Sequence, residues 1–220
     1  MSMVVAPTRL LVIRHGETLA NREFRYIGMR DDHLSERGIT QAQQLAQTLE
    51  PLHISAIYSS PLQRAMQTAQ AIAERQQLAV QPLDALREGN FGRWEGLSRT
   101  EVMERSVEDA RLLRAWEQDP TLAPPDGESF MLVQQRVVAE VMRLVQQHPG
   151  QTLVLVSHVG PIKVLLCHAL QAPLTSLLRI FLDPATISVI DWKKEPLVRL
   201  INSHAHPGWE EARWLQTDNF

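Results

Sequence analysis

Arg9-Leu10-Leu11-Val12-Ile13-Arg14-His15-Gly16 is the stretch that decides the fold. Its four consecutive apolar residues do not alternate with polar ones. That is the pattern of a strand covered on both faces, and such strands belong to parallel sheets flanked by helices. The run ends directly in a histidine and a glycine. The same arrangement recurs where Leu153-Val154-Leu155-Val156 leads into Ser157-His158-Val159-Gly160. In open α/β sheets ligands bind outside the carboxyl ends of the strands, so both imidazoles are expected on one rim.

Outward from these strands, helical and extended runs alternate along the chain. Residues 36–50 put Ile39, Ala42, Leu45, Ala46 and Leu49 on one helix face, behind Ser35 as N-cap. Residues 54–58 read as a strand. Residues 61–75 read as a helix with Pro61 in its first position and Leu62, Ala65, Met66, Ala69, Ile72 and Ala73 turned inward. Then come a short strand at 80–86, one more polar helix at 100–118 and a Pro-rich loop at 119–127. A long helix at 129–148 is ended by Pro149-Gly150. A buried strand at 152–156 and a helix at 160–170 follow, and 187–192 with 197–202 form a hairpin or strand pair. This predicts an α/β domain with a largely parallel sheet, a single unit over 1–220 without repeats or linkers.

Composition narrows the function classes. Of 220 residues, 22 are basic and 25 acidic, giving a net charge of −3, so there is no electrostatic footprint for nucleic acid. Hydrophobic residues at 44% and charged ones at 21% are ordinary for a globular protein and exclude disorder, collagen repeats or coiled coil for the bulk of the chain. No apolar run nears the roughly 18 residues that span a bilayer, and no membrane association is expected. The start, MSMVVAPTRLLVIRHGE, lacks the basic opening and apolar core of a signal peptide. The single cysteine, Cys167, cannot form an internal disulfide and reads as a buried, inert thiol. The expected compartment is the cytoplasm. Nineteen of the 22 basic residues are arginine, the side chain suited to two-bonded grip on phosphate or carboxylate.

More polar groups fall on the expected rim. Ser59-Ser60 follows the second strand, Arg64 sits one turn into the next helix, and Glu88 follows the strand that ends near Leu86. Two histidines, two arginines and a glutamate suit phosphoryl transfer. A neutral imidazole is a competent nucleophile near pH 7, and guanidinium forks stabilise the spread charge of the moving phosphoryl group. A carboxylic acid can protonate the leaving alkoxide and then activate water. Each residue alone has a blander reading, as a satisfied strand-end histidine, a surface arginine or a solvated loop glutamate. The combination carries the argument.

The sequence resembles the histidine phosphatase superfamily, the phosphoglycerate mutase-like enzymes. The resemblance rests on RHGETLAN (14–21), LSERGITQAQQLA (34–46), YSSPLQRAMQTA (58–69), LREGNFGRWEG (86–96), PDGESF (125–130) and VLVSHVGPIK (154–163). It implies a three-layer α/β/α fold with a mostly parallel, doubly wound sheet, and a phosphohistidine formed on His15. It also implies a phosphate clamp of Arg14, Arg64 and His158 with a hydrogen bond from Asn21, and Glu88 as proton donor. Gly16, Thr18, Phe91 and His206 are further residues expected at the substrate. No metal and no dissociable cofactor is implied. His204 and His206, without carboxylate or cysteine partners, do not read as a metal site.

Within the superfamily, Thr18 stands where the acid phosphatase branch has an arginine. The G-x-W-E-G form after Glu88, and only 69 residues between Glu88 and His158, resemble the phosphatases more than the cofactor-dependent mutases. The expected function is therefore hydrolysis of a small-molecule phosphate ester. A mutase, or a non-catalytic relative that binds a phosphorylated ligand, are the alternatives. Residues 97–127 are expected to cap the site. They carry Arg99, Arg105, Arg111 and Arg114 among more numerous acidic residues, which makes no strong second phosphate site. Phe91 and Trp94 read as an apolar wall or as core. A homodimer through a sheet edge or the apolar tail is left open.

Overall fold

A strand apolar on both faces needs a helix layer on each side, and this requirement organises the molecule. The computed structural model describes residues 6–204. In chain order these form β1 (Thr8–Arg14), α1 (Leu19–Arg22), α2 (Glu36–Leu49), β2 (Ala56–Ser59), α3 (Gln63–Gln76), β3 (Val80–Pro82), α4 (Arg99–Arg105), α5 (Val107–Trp116), α6 (Phe130–Gln147), β4 (Thr152–Ser157), α7 (Val159–Ala169), β5 (Thr186–Trp192) and β6 (Pro196–His204). The sheet order is β3-β2-β4-β1-β5-β6. The first four strands in that order pair in parallel, and β5 is antiparallel to both its neighbours.

Successive strand residues point to opposite faces, which splits the core in two. Leu10, Val12, Leu153 and Leu155 pack with Val137 and Val141 of α6 and Leu166 of α7. Leu11, Ile13, Val154 and Val156 pack with Leu45 and Leu49 of α2 and Ala65 and Ile72 of α3. The result is three layers, helices over both faces of a mostly parallel sheet. Cys167 is buried. No helix among the described residues is long and apolar enough to cross a membrane.

Several boundaries differ from the sequence reading, each for a local reason. The helix expected at 100–118 is two, broken at Ser106, whose backbone is extended (φ −162°, ψ 161°) and whose hydroxyl accepts the Asp109 amide to cap α5. Serine in a helical pattern competes for the backbone in this way. The strand expected at 80–86 ends at Pro82, which has no amide to donate, and Asp84–Leu86 form a 3-10 turn. Pro61 is not the first helical residue; α3 starts at Gln63, because Ser60 Oγ accepts the Leu62 amide at 3.3 Å and holds the chain back at the sheet rim. Ile39 is 46% exposed rather than inward, and Met66 only half-buried. Gly38 is the residue of that turn of α2 that faces in, which rotates Ile39 out.

Candidate active site

Sheet register brings the two histidines together. β1 and β4 are paired with Arg14 opposite Ser157, so the next residues, His15 and His158, emerge side by side. The His15 amide donates to Ser157 O at 3.1 Å, and the two rings lie 5.0 Å apart between centroids. β2 flanks β4 on its other side. The chain leaves β1 and β4 towards opposite halves of the sheet, and this reversal of strand order is where such folds open a crevice.

The proton on each ring follows from its neighbours. His15 Nδ1 lies 2.7 Å from Gly16 O, a carbonyl that can only accept. The ring proton is therefore on Nδ1, and the Nε2 lone pair is free. Burial, then the charges of Arg64 and Arg14, hold the His15 pKa well below the usual 6.5. His158 Nε2 is 2.7 Å from Ser60 Oγ, which already accepts the Leu62 amide. With the Ser60 hydroxyl donating to Nε2, Nδ1 carries the His158 proton. That atom is buried and has no partner among the described residues. Burial first, and then Arg64, keep this imidazole neutral too.

Both arginines are aimed by backbone carbonyls. Arg14 Nη1 donates to Leu182 O at 2.5 Å, and Arg64 donates to Arg30 O at 2.6 Å and Gly28 O at 2.8 Å. Their Nε atoms are buried without partners among the described residues. Burial lowers the Arg14 pKa to about 10, so it stays charged at neutral pH. Glu88 is buried, and its Oε1 accepts the amides of Gly89 at 2.9 Å and Gly160 at 3.1 Å. Burial raises its pKa above 4.5 against the pull of those amides and of Arg64. A Cβ on Gly160 would stand 2.3 Å from Glu88 Oε1, so only glycine lets the carboxyl reach this helix start.

Supporting residues escaped the sequence reading. Arg136 pairs with Glu128 through two bonds of 2.9 Å and donates to the carbonyls of Ala85, Arg87 and Glu88, fixing the loop that presents Glu88. Glu17 is buried and accepts Ser35 Oγ at 3.0 Å, tying the loop after β1 to the start of α2. There the backbones touch. A Cβ on Gly38 would meet Glu17 O at 2.1 Å, and one on Gly16 would meet Gly38 O at 2.6 Å.

Arg14, His15, Arg64 and Glu88 open on a cavity of about 380 Å³, while His158 is fully buried beside His15 and is not part of its lining. Arg14, His15, Asn21, Arg64, Glu88 and Phe91 line it; Tyr26, Trp116, Phe130 and Lys163, none anticipated, line it too. Asn21 Oδ1 accepts the Thr18 amide at 3.0 Å, which leaves its Nδ2 for the cavity. Thr18, expected at the substrate, is fully buried and caps α1 through its hydroxyl. Gly16, also expected there, is buried against α2, with its amide on Thr68 Oγ1 at 3.0 Å. Trp94 belongs to the core and donates its indole N–H to Asp109. From residues 97–127, Trp116 and Glu117 reach the cavity. His206 lies outside the described residues. Among those residues no group of three or more histidine, cysteine or carboxylate side chains gathers in a way that could hold a metal ion.

An open α/β sheet that gathers guanidinium groups and imidazoles at its switch point defines an anion-binding α/β protein. The model of the histidine phosphatase superfamily (branch 1) matches residues 10–203, and the chain belongs to that family. The bifunctional protein Rv2228c of Mycobacterium tuberculosis is 42% identical over 199 residues, covering 89% of this chain and 54% of that protein. The chain thus spans about half the length of that relative. Phosphoserine phosphatase 1 of Hydrogenobacter thermophilus is 38% identical over 202 residues, 91% of this chain and 94% of its own. Mycobacterial glucosyl-3-phosphoglycerate phosphatase in complex with VO3 superposes with a TM-score of 0.81 at 33% identity, covering 89% of this chain and 99% of its own.

Proposed function

We propose that the protein is a phosphomonoesterase that hydrolyses small phosphate esters through a phosphohistidine on His15. The observation that carries this reading is the His15 ring. Its Nδ1 proton is committed to Gly16 O, and it lies in a cavity whose wall holds Arg14, Arg64 and a raised-pKa Glu88. Nε2 attacks phosphorus, the bond from phosphorus to the ester oxygen breaks, and Glu88 gives its proton to the departing alcohol. Glu88 then takes a proton from water, whose oxygen attacks phosphorus as the N–P bond breaks. Inorganic phosphate leaves and His15 is restored neutral. Arg14, Arg64, His158 Nδ1 and Asn21 Nδ2 stabilise the equatorial oxygens, a role that needs no metal in this scheme.

The phosphatase names of the relatives support hydrolysis over isomerisation, and so does the distribution of charge. A mutase needs a second set of cations above the site. Of the four arginines in 97–127, Arg99 is bound to Glu117 and Arg105 donates to Arg93 O, and none lines the cavity; beyond Arg14 and Arg64 its wall holds Arg25, which is paired with Glu23 and Glu101, and Lys163. The solitary, buried Cys167 is in keeping with a cytoplasmic enzyme. Residues 97–127 act as the cap of the same unit.

The test is phosphate release from a panel of phosphorylated metabolites in excess EDTA, with His15→Ala beside the wild type. Release that survives EDTA and is lost in the variant is the expected result. Full activity in His15→Ala, or dependence on added metal, would overturn the mechanism.

A further inference from the structure

Lys163 sits on α7 one turn beyond Gly160, and at helical spacing it shares a face with Val159 and Gly160. All three line the cavity. The Lys163 ammonium is half-buried and makes no hydrogen bond or salt bridge among the described residues. Burial lowers its pKa, and Glu88 draws it back up.

The other charges of the wall are already engaged. Arg25 donates to Glu23, Glu101 and Gly96 O. Glu117 is held by both arms of Arg99 at 2.6 and 2.8 Å, so it does not neutralise Lys163. Arg14 and Arg64 stand beside His15. Away from them, the wall presents the rings of Tyr26, Phe91, Trp116 and Phe130 and this one unpaired ammonium. A half-buried ammonium that has lost part of its hydration without a hydrogen-bond partner is costly until an anion meets it.

We infer that the alcohol part of the substrate carries a carboxylate, and that Lys163 holds it while His15 attacks the phosphate. A single cation matches a monoanion, whereas a second phosphate would be left undercompensated. Lys163 is then a specificity-determining residue. The inference rests on the phosphatase reading and sharpens its substrate class to phosphate esters of hydroxy acids.

The experiment compares kcat/KM for 3-phosphoglycerate and glycerol 3-phosphate, which differ in a carboxylate against a hydroxymethyl group. A charge-assisted hydrogen bond is worth about 1.5–3 kcal/mol, so the wild type should favour the carboxylate ester by about tenfold or more. Lys163→Met should bring the ratio near one, and Lys163→Arg should keep most of it. Both esters are assayed on one preparation, so an inactive fraction cancels in the ratio. No preference in the wild type, or an unchanged ratio in Lys163→Met, would overturn this inference alone. If neither these esters nor p-nitrophenyl phosphate were hydrolysed by the wild type, the phosphatase reading would fall and this inference with it.

Discussion

His15 and Glu88 are displaced from their ordinary ionisation in opposite directions, and both displacements favour the states the chemistry needs. The imidazole titrates well below 6.5, so it is a free base through most of the accessible pH range. The carboxyl titrates above 4.5, so its proton persists to higher pH than an exposed glutamate would allow. The dependence of kcat/KM on pH should therefore be bell-shaped, falling on the acid side as His15 protonates and on the alkaline side as Glu88 ionises. Glu88→Gln removes the second event. With alkyl phosphates it should lower kcat by about 10²–10⁴-fold, and with p-nitrophenyl phosphate, whose leaving group needs no proton, far less. The alkaline limb should vanish in that variant; if it remained, the proton donor would lie elsewhere.

At the scale of elements, the loop after β1 is held by contact with the start of α2, and that contact has no room for a side chain. Gly38→Ala would drive a Cβ into Glu17 O. Backbone cannot yield as a flexible side chain can, so the loop must shift. We expect a loss of about 1–3 kcal/mol in stability and a disproportionate drop in kcat, since His15 rides on the same loop. Chemical denaturation and turnover measured together check this, and a fall in stability without loss of kcat would uncouple the two elements. Much of the element layout was legible from hydrophobic patterning, because β1 and β4 are apolar on both faces and α2 has a clear inner stripe. The break at Ser106 was not, since a serine hydroxyl capping a helix and one facing solvent in mid-helix look alike in sequence. Lys163 was missed although its spacing from Gly160 gives its face. Only the fold reveals that this face of α7 meets a cavity rather than solvent.

For the molecule as a whole, burying His15, His158 and Glu88 in one pocket ties stability to pH. Both histidines have depressed pKa values when folded, so below 6.5 the unfolded chain binds protons that the folded one does not. Glu88 acts oppositely above 4.5, because the folded state retains a proton that the unfolded chain has lost. With two imidazoles against one carboxyl, stability should fall as pH drops from 6.5 towards 4.5, by about 1.4 kcal/mol per pH unit for each proton taken up net. Scanning calorimetry across that window checks the sign, and a flat or rising Tm on acidification would contradict it. The convergence of these groups was only partly visible beforehand. Motif order named the residues, but the insertion of β4 between β1 and β2, which sets the rings side by side, is a property of topology.

Arg14 Nε, Arg64 Nε and His158 Nδ1 are buried polar atoms with no hydrogen-bond partner among the described residues. If their complement is an oxyanion, the freed orthophosphate satisfies them as well as the ester does. Such a catalyst is throttled by its own product. Its flux would then follow the phosphate supply of its surroundings, running fastest when phosphate is scarce and the release of more is of greatest use.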